Sequence, residues 1–322
     1  MFRPGRLLLL AGLVALLCAA FAVGAWRGSG PAAAPVQVRI EKGATLSSAA
    51  RTLREAGAIR SVTLFARLAR VLGGAKPIQA GEYEIPAHAS MATILAQLQS
   101  GKTIQHLVTI PEGMPSIMVY ERLMAEPMLK GAIPVPDEGS VLPDSYAFAD
   151  GESRAALLTR MQAAMTEALD AAWEKRQPSA VVTSKRDAVI LASIVEKETA
   201  IASERRTVAA VYSNRLRIGM RLQADPTTIY PITKGKPLGR RIRRSELDAV
   251  NGYNTYAMAG LPQGPIANPS RASIEAVLDP APSPALYFVA DGKGGHVFAR
   301  TLAEHEANVA RYYALRRERG EM

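Results

Sequence analysis

The sequence predicts an α+β protein in three parts: an N-terminal transmembrane helix, a small α+β module and a larger α+β domain. Three observations predict this arrangement. Residues 7–26 form an uncharged apolar run, residues 36–103 alternate short strand and helix patterns, and residues 104–322 carry longer helical patterns, a loop-rich stretch and a hairpin. The 322 residues exceed one average domain of roughly 150 residues. The apolar content of 48% is typical of globular proteins and excludes disorder for most of the chain.

The apolar run 7–26 is long enough for a helix to span a hydrocarbon layer of about 30 Å. Arg3 and Arg6 precede it, and Arg27 is the only charge in the ten residues that follow. This asymmetry places residues 1–6 in the cytoplasm and exports everything after the span. A cleaved signal peptide, with Ala20-Phe-Ala22 as its site, is the alternative; the length of the run favours an uncleaved anchor.

Residues 27–35 predict a linker, because small residues and prolines replace any apolar periodicity. The folded module that follows, 36–103, alternates predicted strands and helices. Apolar residues alternate with polar ones over 36–40, and 81–85 also reads as a strand; apolar residues recur at helical spacing over 46–53, 64–72 and 91–98.

The larger domain, 104–322, opens with a predicted strand at 106–110 and continues with helices over 157–173, 185–200 and 208–216. Residues 223–269 are rich in Gly, Pro, Asn, Thr and Tyr, which predicts a long ordered loop. Such loops are uncommon in compact domains unless they bind something. A hairpin over 286–299 and a C-terminal helix complete the domain.

Charge and cysteine content limit the classes of function. The chain has 39 Lys and Arg against 29 Asp and Glu, a net charge of +10, which favours an anionic partner: nucleic acid, lipid head groups or an acidic polymer. Export argues against nucleic acid. The single cysteine, Cys18, excludes an intrachain disulfide and cysteine-based zinc sites, and the four histidines lack ligand spacing. We therefore expect no metal and no other cofactor.

The helix predicted over 185–200 carries a glutamate on its apolar face. Projected at 100° per residue from Ala188, Leu191 and Val195 fall at about 300° and 340°, and Glu198 falls at about 280°, within that face. Glu196 falls at about 80°, which predicts that it points to solvent. Burial disfavours the charged carboxylate, so we expect a raised pKa for Glu198, as a general acid near neutral pH requires. Two alternatives remain: the helix ends before Glu198, or Arg205 or Arg206 pairs with it.

A set of motifs on this helix and after it resembles the YceG-like family of endolytic murein transglycosylases. They are LASIVEKET at 191–199, NRLRIGMRLQ at 214–223, DPT at 225–227, YNTY at 253–256, GLP at 260–262, GPI at 264–266 and YFVADGKGGH at 287–296, with IPEG at 110–113 and EGSVLPDSY at 138–146 upstream. In the last of these, Ser140, Val141 and Leu142 stand where the family often has aromatics. The resemblance covers most of the exported chain.

The resemblance implies a lyase that cuts the β-1,4 bond between N-acetylmuramic acid and N-acetylglucosamine inside a glycan strand and leaves a 1,6-anhydromuramic end. The family's essential glutamate lies in the E-K-E motif and is assigned to Glu198, which acts first as acid and then as base. One carboxyl suffices because the sugar's own 6-hydroxyl attacks. The resemblance also makes residues 36–103 a LysM-like module and residues 104–322 the catalytic domain, with no cofactor.

Polar and aromatic residues of the loop and hairpin are predicted to line a sugar cleft, with loop architecture as the alternative role. The predicted substrate-binding residues are Gln223, Asp225, Thr227, Tyr253, Asn254, Tyr256 and His296. Four further residues are predicted as support: Glu196, Glu112, Asp144 and Tyr146.

The implied location is the bacterial inner membrane, with a single span, a cytoplasmic N-terminus and a periplasmic catalytic domain. The implied partners are peptidoglycan glycan strands, membrane lipid and glycan-polymerising peptidoglycan synthases, but no nucleic acid. The basic stretch 234–244 is either a solvated loop or a site that attracts anions. A noncatalytic, membrane-anchored peptidoglycan-binding scaffold remains the alternative function.

Overall fold

The computed structural model describes the backbone of residues 4–321 and the side chains of residues 12–321. Part of the predicted cytoplasmic segment 1–6 therefore lies outside the described residues. The chain divides into two compact units. The first comprises Met1–His106 with Phe148–Asp150, and the second comprises Leu107–Ala147 with Gly151–Met322. The mixed α and β content agrees with the predicted α+β class.

Helix α1, Pro4–Arg27, covers the predicted span 7–26. Several of its apolar side chains are exposed, among them Leu16, Leu17 and Phe21. Trp26, near its end, is buried against Phe65 with ring centroids 6.3 Å apart. Within the described residues, no helix combines the length and the apolar character needed to cross a membrane.

The rest of the first unit is a β-α-α-β-α module whose two strands pair antiparallel. Its elements are β1 Val36–Ile40, α2 Leu46–Glu55, α3 Val62–Leu72, β2 Gly81–Ile85 and α4 Met91–Ser100. The register runs from Val36 opposite Ile85 to Ile40 opposite Gly81. Each element predicted between 36 and 98 is confirmed. Tyr83, fully buried, donates a 2.8 Å hydrogen bond to the Gln79 carbonyl, so its hydroxyl is satisfied inside the core.

The second unit is mostly helical, with two short pairs of strands. Its elements are β3 His106–Thr109, α5 Ser116–Ala125, β4 Ser145–Phe148, α6 Arg154–Glu174, α7 Lys185–Glu198, α8 Ala202–Arg217, α9 Asp225–Thr233, α10 Arg244–Leu247, α11 Arg271–Leu278, β5 Tyr287–Ala290, β6 His296–Ala299 and α12 Leu302–Glu318. Strand β3 pairs with β4, and β5 pairs with β6. The hairpin and the C-terminal helix are confirmed, and α5 and α11 were not predicted.

Helix α7 is the centre of the second unit. It begins as the sequence predicts, with the Ser184 side chain accepting a hydrogen bond from the backbone of Asp187. All eight residues from Ala188 to Val195 are buried, and α6, α8, α9 and α11 pack around it. The helix is therefore buried on all sides, not on one face, which changes what its last turn can contact.

The stretch 223–269 is not one continuous loop, because α9 and α10 form within it. Pro226 occupies the first turn of α9, where a backbone N–H has no partner within the helix, so proline is tolerated there. A proline in this position is a helix-start signal that can be read from the sequence. Pro231 inside the same helix and the short length of α10 obscured the periodicity. The remaining loop residues connect these short helices.

Candidate active site

Glu198 is the last residue of α7, with Thr199 as its C-cap and α8 beginning at Ala202. Because α7 is enclosed by other helices, its final turn leads the carboxyl into the second unit. The alternative that the helix ends before Glu198 is wrong. The residue as a whole is half-buried, with enough of its carboxyl shielded for desolvation to control its charge.

Burial raises the pKa of Glu198 to about 7, because the low-dielectric interior disfavours the carboxylate. A hydrogen bond from the Tyr212 hydroxyl opposes this rise, the negative charge of Asp225 adds to it, and the positive charge of Arg215 opposes it. A carboxyl group with this pKa is present in both forms near neutral pH. It can therefore donate a proton and later accept one.

The other predicted alternative, an ion pair between Glu198 and a nearby arginine of α8, is not what the structure shows. Arg206 lies 2.8 Å from Asp279, and Arg205 lies 3.9 Å from Glu112. Both arginines are therefore directed to other carboxylates. Within the described part of the chain, Glu198 has no salt bridge within 4.0 Å.

Tyr212 and Arg215, one turn apart on α8, are the functional residues that the sequence reasoning missed. Tyr212 is 2% exposed, and burial raises the pKa of its hydroxyl well above the usual value. Arg215 is buried and donates hydrogen bonds to the carbonyls of Leu286 at 2.7 Å and Leu222 at 2.6 Å. Desolvation lowers the pKa of Arg215. Together these two side chains place one neutral donor and one fixed positive charge beside Glu198.

A signal for Arg215 was available in the sequence. The projection that placed Glu198 on the apolar face of α7 puts Arg215 at about 340° from Val208, between Val208 and Val211 at about 300°. A buried arginine on an apolar helix face is as unusual as a buried glutamate. Tyr212 gives no such signal, because tyrosine is common on the apolar faces of helices that pack in a protein core.

Asp225, Tyr256 and Gln223 lie together on the loop side of this site. The Tyr256 hydroxyl donates a 2.6 Å hydrogen bond to Asp225, and burial raises the pKa of Tyr256. Asp225 and Gln223 are exposed. Gln223 has a φ of 51°, a left-handed conformation that is strained for a residue with a side chain and is often found at functional sites. The predicted substrate-binding residues Gln223, Asp225 and Tyr256 therefore present accessible groups near Glu198.

Thr227 and Asn254 hold the loop and offer nothing to a ligand. Both are 0% exposed. The Asn254 amide donates to the carbonyls of Glu246, Leu247 and Ala249, and the Thr227 hydroxyl lies 2.8 Å from that of Thr255. The prediction that they contact substrate is corrected accordingly, since a side chain without exposed surface can only position its neighbours. Their role is the loop architecture that was the alternative.

Tyr253 packs in an aromatic and acidic cluster next to the loop. Its ring centroid lies 4.8 Å from that of Tyr230, whose hydroxyl donates a 3.1 Å hydrogen bond to Glu138. Burial raises the pKa of Glu138, and the backbone N–H of Ser116 donates to its other oxygen at 2.8 Å. Tyr253 remains partly exposed.

Glu196 does not point to solvent, and that prediction is wrong. It is half-buried, and one carboxylate oxygen accepts hydrogen bonds from the backbone N–H of Ser270 at 2.8 Å and from its hydroxyl at 2.5 Å. Ser270 is the N-cap of α11, so Glu196 places a negative charge at a helix N-terminus. The face assignment failed because α11 covers what was predicted to be the polar side of α7.

The remaining predicted residues pair with groups other than the Glu198 carboxyl. Glu112 is exposed and nearest to Arg205, and Asp144 is exposed and accepts from the backbone of Ser145. Tyr146 donates to the Leu142 carbonyl at 2.7 Å, and burial raises its pKa to about 12. The His296 ring lies 2.7 Å from Glu204.

His296 is connected to Tyr212, the hydrogen-bond donor to Glu198, through the ring of Phe288. Its ring packs edge-on against Phe288, with centroids 5.3 Å apart, and Phe288 packs edge-on against Tyr212 at 6.0 Å. The hairpin thus supports the wall behind Tyr212. Within the described residues, no group of three or more His, Cys, Asp or Glu side chains is arranged to hold a metal ion.

Comparisons with known proteins identify the family of the chain. A model of the YceG-like family matches residues 38–311. The endolytic murein transglycosylase of Bacillus subtilis strain 168 is 28% identical over 316 residues, which cover 88% of this chain and 86% of that protein. The protein of the same name from Streptococcus pneumoniae D39 is 28% identical over 326 residues, covering 86% of this chain, and the match spans only 58% of that longer protein.

A solved structure gives the same result at the level of the fold. The crystal structure of a putative YceG-like protein from Listeria monocytogenes is 26% identical, with a TM-score of 0.52, and the match covers 85% of this chain and 98% of that one. The family match extends over most of the chain, from the first strand of the small module to the C-terminal helix. The chain belongs to the YceG-like family.

Proposed function

We propose that the chain is an endolytic murein transglycosylase, a lyase that cuts peptidoglycan glycan strands internally with Glu198 as its acid and base. One observation carries the proposal: a single carboxyl with a pKa of about 7 lies at the end of a buried helix, beside Tyr212 and Arg215 and next to an exposed polar loop. The relatives named endolytic murein transglycosylases support it, since they match over most of this chain.

The reaction needs only this one carboxyl group. Protonated Glu198 gives its proton to the oxygen between muramic acid C1 and N-acetylglucosamine C4, and the C1–O bond breaks. The 6-hydroxyl oxygen of the same muramic acid bonds to C1, and its proton returns to the Glu198 carboxylate. The products are a free 4-hydroxyl and a 1,6-anhydro ring, and no water is consumed. A second carboxylate at the distance that ordinary glycosidases use is therefore unnecessary.

The neighbours of Glu198 suit this double use. Desolvation keeps a protonated fraction at neutral pH, while the Tyr212 hydroxyl and the Arg215 charge stabilise the carboxylate that forms after the first proton transfer. Neither neighbour is a titrating group near pH 7, because burial raises the pKa of Tyr212 and Arg215 remains a strong base. Glu198 alone therefore changes its charge during the reaction.

The glycan strand is proposed to lie along the exposed groups of the loop. Gln223 and Asp225 present amide and carboxylate oxygens to sugar hydroxyls, and Tyr256 and Tyr253 present ring faces on which pyranose rings stack. His296 is proposed to support the site indirectly, because it packs on Phe288 of the hairpin, which in turn packs on Tyr212. Glu112, Asp144 and Tyr146 are proposed as peripheral supports, and Glu196 as a positioning residue that orders the last turn of α7.

We also propose that residues 7–26 anchor the protein in the inner membrane, with residues 1–6 in the cytoplasm and the catalytic domain, 104–322, in the periplasm. The uncharged run and the exposed apolar side chains of α1 support this. The β-α-α-β-α module, 36–103, is proposed to bind glycan as a LysM-like module. Membrane lipid and peptidoglycan synthases are the proposed neighbours, since nascent strands emerge there.

The test is mass spectrometry of the products released from purified sacculi or nascent strands. Wild-type protein is expected to release fragments with 1,6-anhydromuramic ends, and Glu198→Gln is expected to reduce their rate of release by about 10² to 10⁴-fold. Glu174→Gln is the matched control and should keep the wild-type activity, because Glu174 is an exposed glutamate at the end of α6 with no proposed role in the site. Glycan binding without anhydro products would show a noncatalytic scaffold instead.

A further inference from the structure

A cavity of about 490 Å³ lies directly beside the candidate active site. Lys197, the residue before Glu198, lines it, and so does Pro226, the residue after Asp225. The cavity therefore adjoins both the proposed acid and the exposed loop. Glu112 is the one lining residue with a proposed role, as a peripheral support.

One wall of this cavity is the turn 111–115, which neighbouring residues hold in place. Gly113 has a φ of 67°, a conformation that favours glycine, and a Cβ there would lie 3.3 Å from Glu196 Cγ and 3.4 Å from Lys197 Cδ, so the turn packs closely on the last turn of α7. Asn268 fixes the turn with a hydrogen bond from its amide to the Met114 carbonyl at 2.9 Å. Asn268 is itself 0% exposed. This wall is preformed.

The opposite wall is the chain that leaves α9. Lys234 caps α9 in the left-handed conformation with a φ of 56°, and Gly235 follows with a φ of 84°. A Cβ on Gly235 would approach Pro115 Cβ to 2.7 Å, so only glycine permits this close approach. The two positive φ angles turn the chain back across Pro115. They bring Lys236 and Leu238 to the cavity edge.

Most residues that line the cavity are apolar and three are charged. This composition differs from that of a sugar-binding subsite. Its charged members are Glu112, Lys197 and Lys236, and no aromatic, Asn or Gln side chain is among the residues that line it. A pyranose subsite is typically built from aromatic ring faces and amide side chains, and the lining has neither. Its apolar members are Pro111, Met114, Pro115, Met118, Pro226, Ile229, Pro237, Leu238 and Ile266.

We infer that this cavity binds the peptide stem that muramic acid carries, so that the enzyme selects peptide-bearing over bare glycan. The inference rests on the proposed function. The stem joins muramic acid through a lactyl ether on the same ring whose C1 is cut, which places it close to Glu198. Its alanyl and lactyl methyl groups match the apolar lining, and its carboxylates match the lysines.

The charges of the lining support an anionic occupant. Lys197 is exposed, and its Nζ lies 3.4 Å from the Gly113 carbonyl. Among the described residues, no carboxylate lies within 4.0 Å of that Nζ. Lys236 lies 2.5 Å from Glu121, outside the lining, so an incoming carboxylate would share this lysine with Glu121. Glu112 faces Arg205, which offsets its own charge.

The test compares full-length protein on one preparation of glycan strands, intact or stripped of their peptides by an amidase. Wild-type protein is expected to release anhydro products from intact strands with a kcat/KM at least about tenfold above that for stripped strands, a typical discrimination for an apolar pocket. Met118→Trp, which fills the cavity, and Lys236→Gln are each expected to reduce this ratio to below about threefold. Lys236→Arg should restore it.

Lys130→Gln is the matched control, since Lys130 is exposed and does not line the cavity, and its ratio should equal that of the wild type. Equal cleavage of both strands by active wild-type protein would overturn the inference and leave the proposed function standing. An equal fall on both strands in Met118→Trp and Lys236→Gln would also overturn it. Wild-type protein that releases no anhydro product from either strand would contradict the proposed function itself.

Discussion

Replacing Glu198 by Gln should stabilise the protein above neutral pH while it lowers the activity by about 10² to 10⁴-fold. The pKa of Glu198 is about 7 in the folded state, against an ordinary value of 4.5 that applies when the chain is unfolded. Between these values the folded state holds a proton that the unfolded state has released. The free energy of unfolding of the wild type therefore falls as pH rises through this window. Glutamine has a similar shape but no charge to bury.

The magnitude follows from the size of the shift. A rise of about 2.5 units at 1.36 kcal/mol per unit corresponds to about 3 kcal/mol. The stability difference between Glu198→Gln and wild type should therefore increase by about 3 kcal/mol between pH 4.5 and pH 8. A constant offset from changed hydrogen bonds does not affect this slope.

Urea unfolding at a series of pH values measures this difference. Trp173 lies in the second unit, so its fluorescence reports that unit once Trp26 is replaced by Phe in every variant. Glu196→Gln is the control. It should lower the free energy of unfolding at pH 8, because glutamine can still accept the hydrogen bonds from Ser270 but lacks the negative charge at the N-terminus of α11. A stability difference for Glu198→Gln that stays flat from pH 4.5 to pH 8 would refute the reasoning.

Three further predictions concern side chains around this site. Tyr212→Phe removes a hydrogen bond that lowers the pKa of Glu198. In a pH–rate profile, the pH at which kcat falls on the alkaline side should therefore rise by about one unit. A midpoint at the same or a lower pH would contradict this. Asn254→Ala removes the two N–H donors that three carbonyls share, and it should lower the free energy of unfolding by about 2 to 4 kcal/mol in urea titrations. A loss below about 1 kcal/mol would show that other contacts hold the loop. Ser270→Ala removes the N-cap of α11 and a hydrogen bond to Glu196, with an expected loss of about 1 to 2 kcal/mol by the same measurement, and no loss would contradict that cap.

The sequence predicts the elements of the small module well because each is short, local and marked by its own residues. Thr45, Ser61 and Ser90 cap its three helices, and each accepts a hydrogen bond from the backbone three residues on. The alternation of apolar residues in β1 places Val38 and Ile40 in the core. None of these features requires knowledge of the tertiary packing.

The site is predicted only in part, because its chemistry depends on which helices surround α7. The face projection identifies Glu198 correctly as shielded, since that argument needs only one helix. It fails for Glu196, because the sequence does not reveal that α11 packs on the opposite face. Tyr212 and Arg215 lie 14 and 17 residues further on, and the angle between α7 and α8 decides that they meet Glu198.

The central claim is that burial keeps the Glu198 carboxyl protonated near neutral pH. Carbon-13 NMR of protein labelled at the glutamate carboxyls, compared between wild type and Glu198→Gln, isolates the signal of this one residue. The signal missing from Glu198→Gln should titrate with a midpoint near pH 7 in the wild type. A midpoint near the ordinary value of 4.5 would contradict the account.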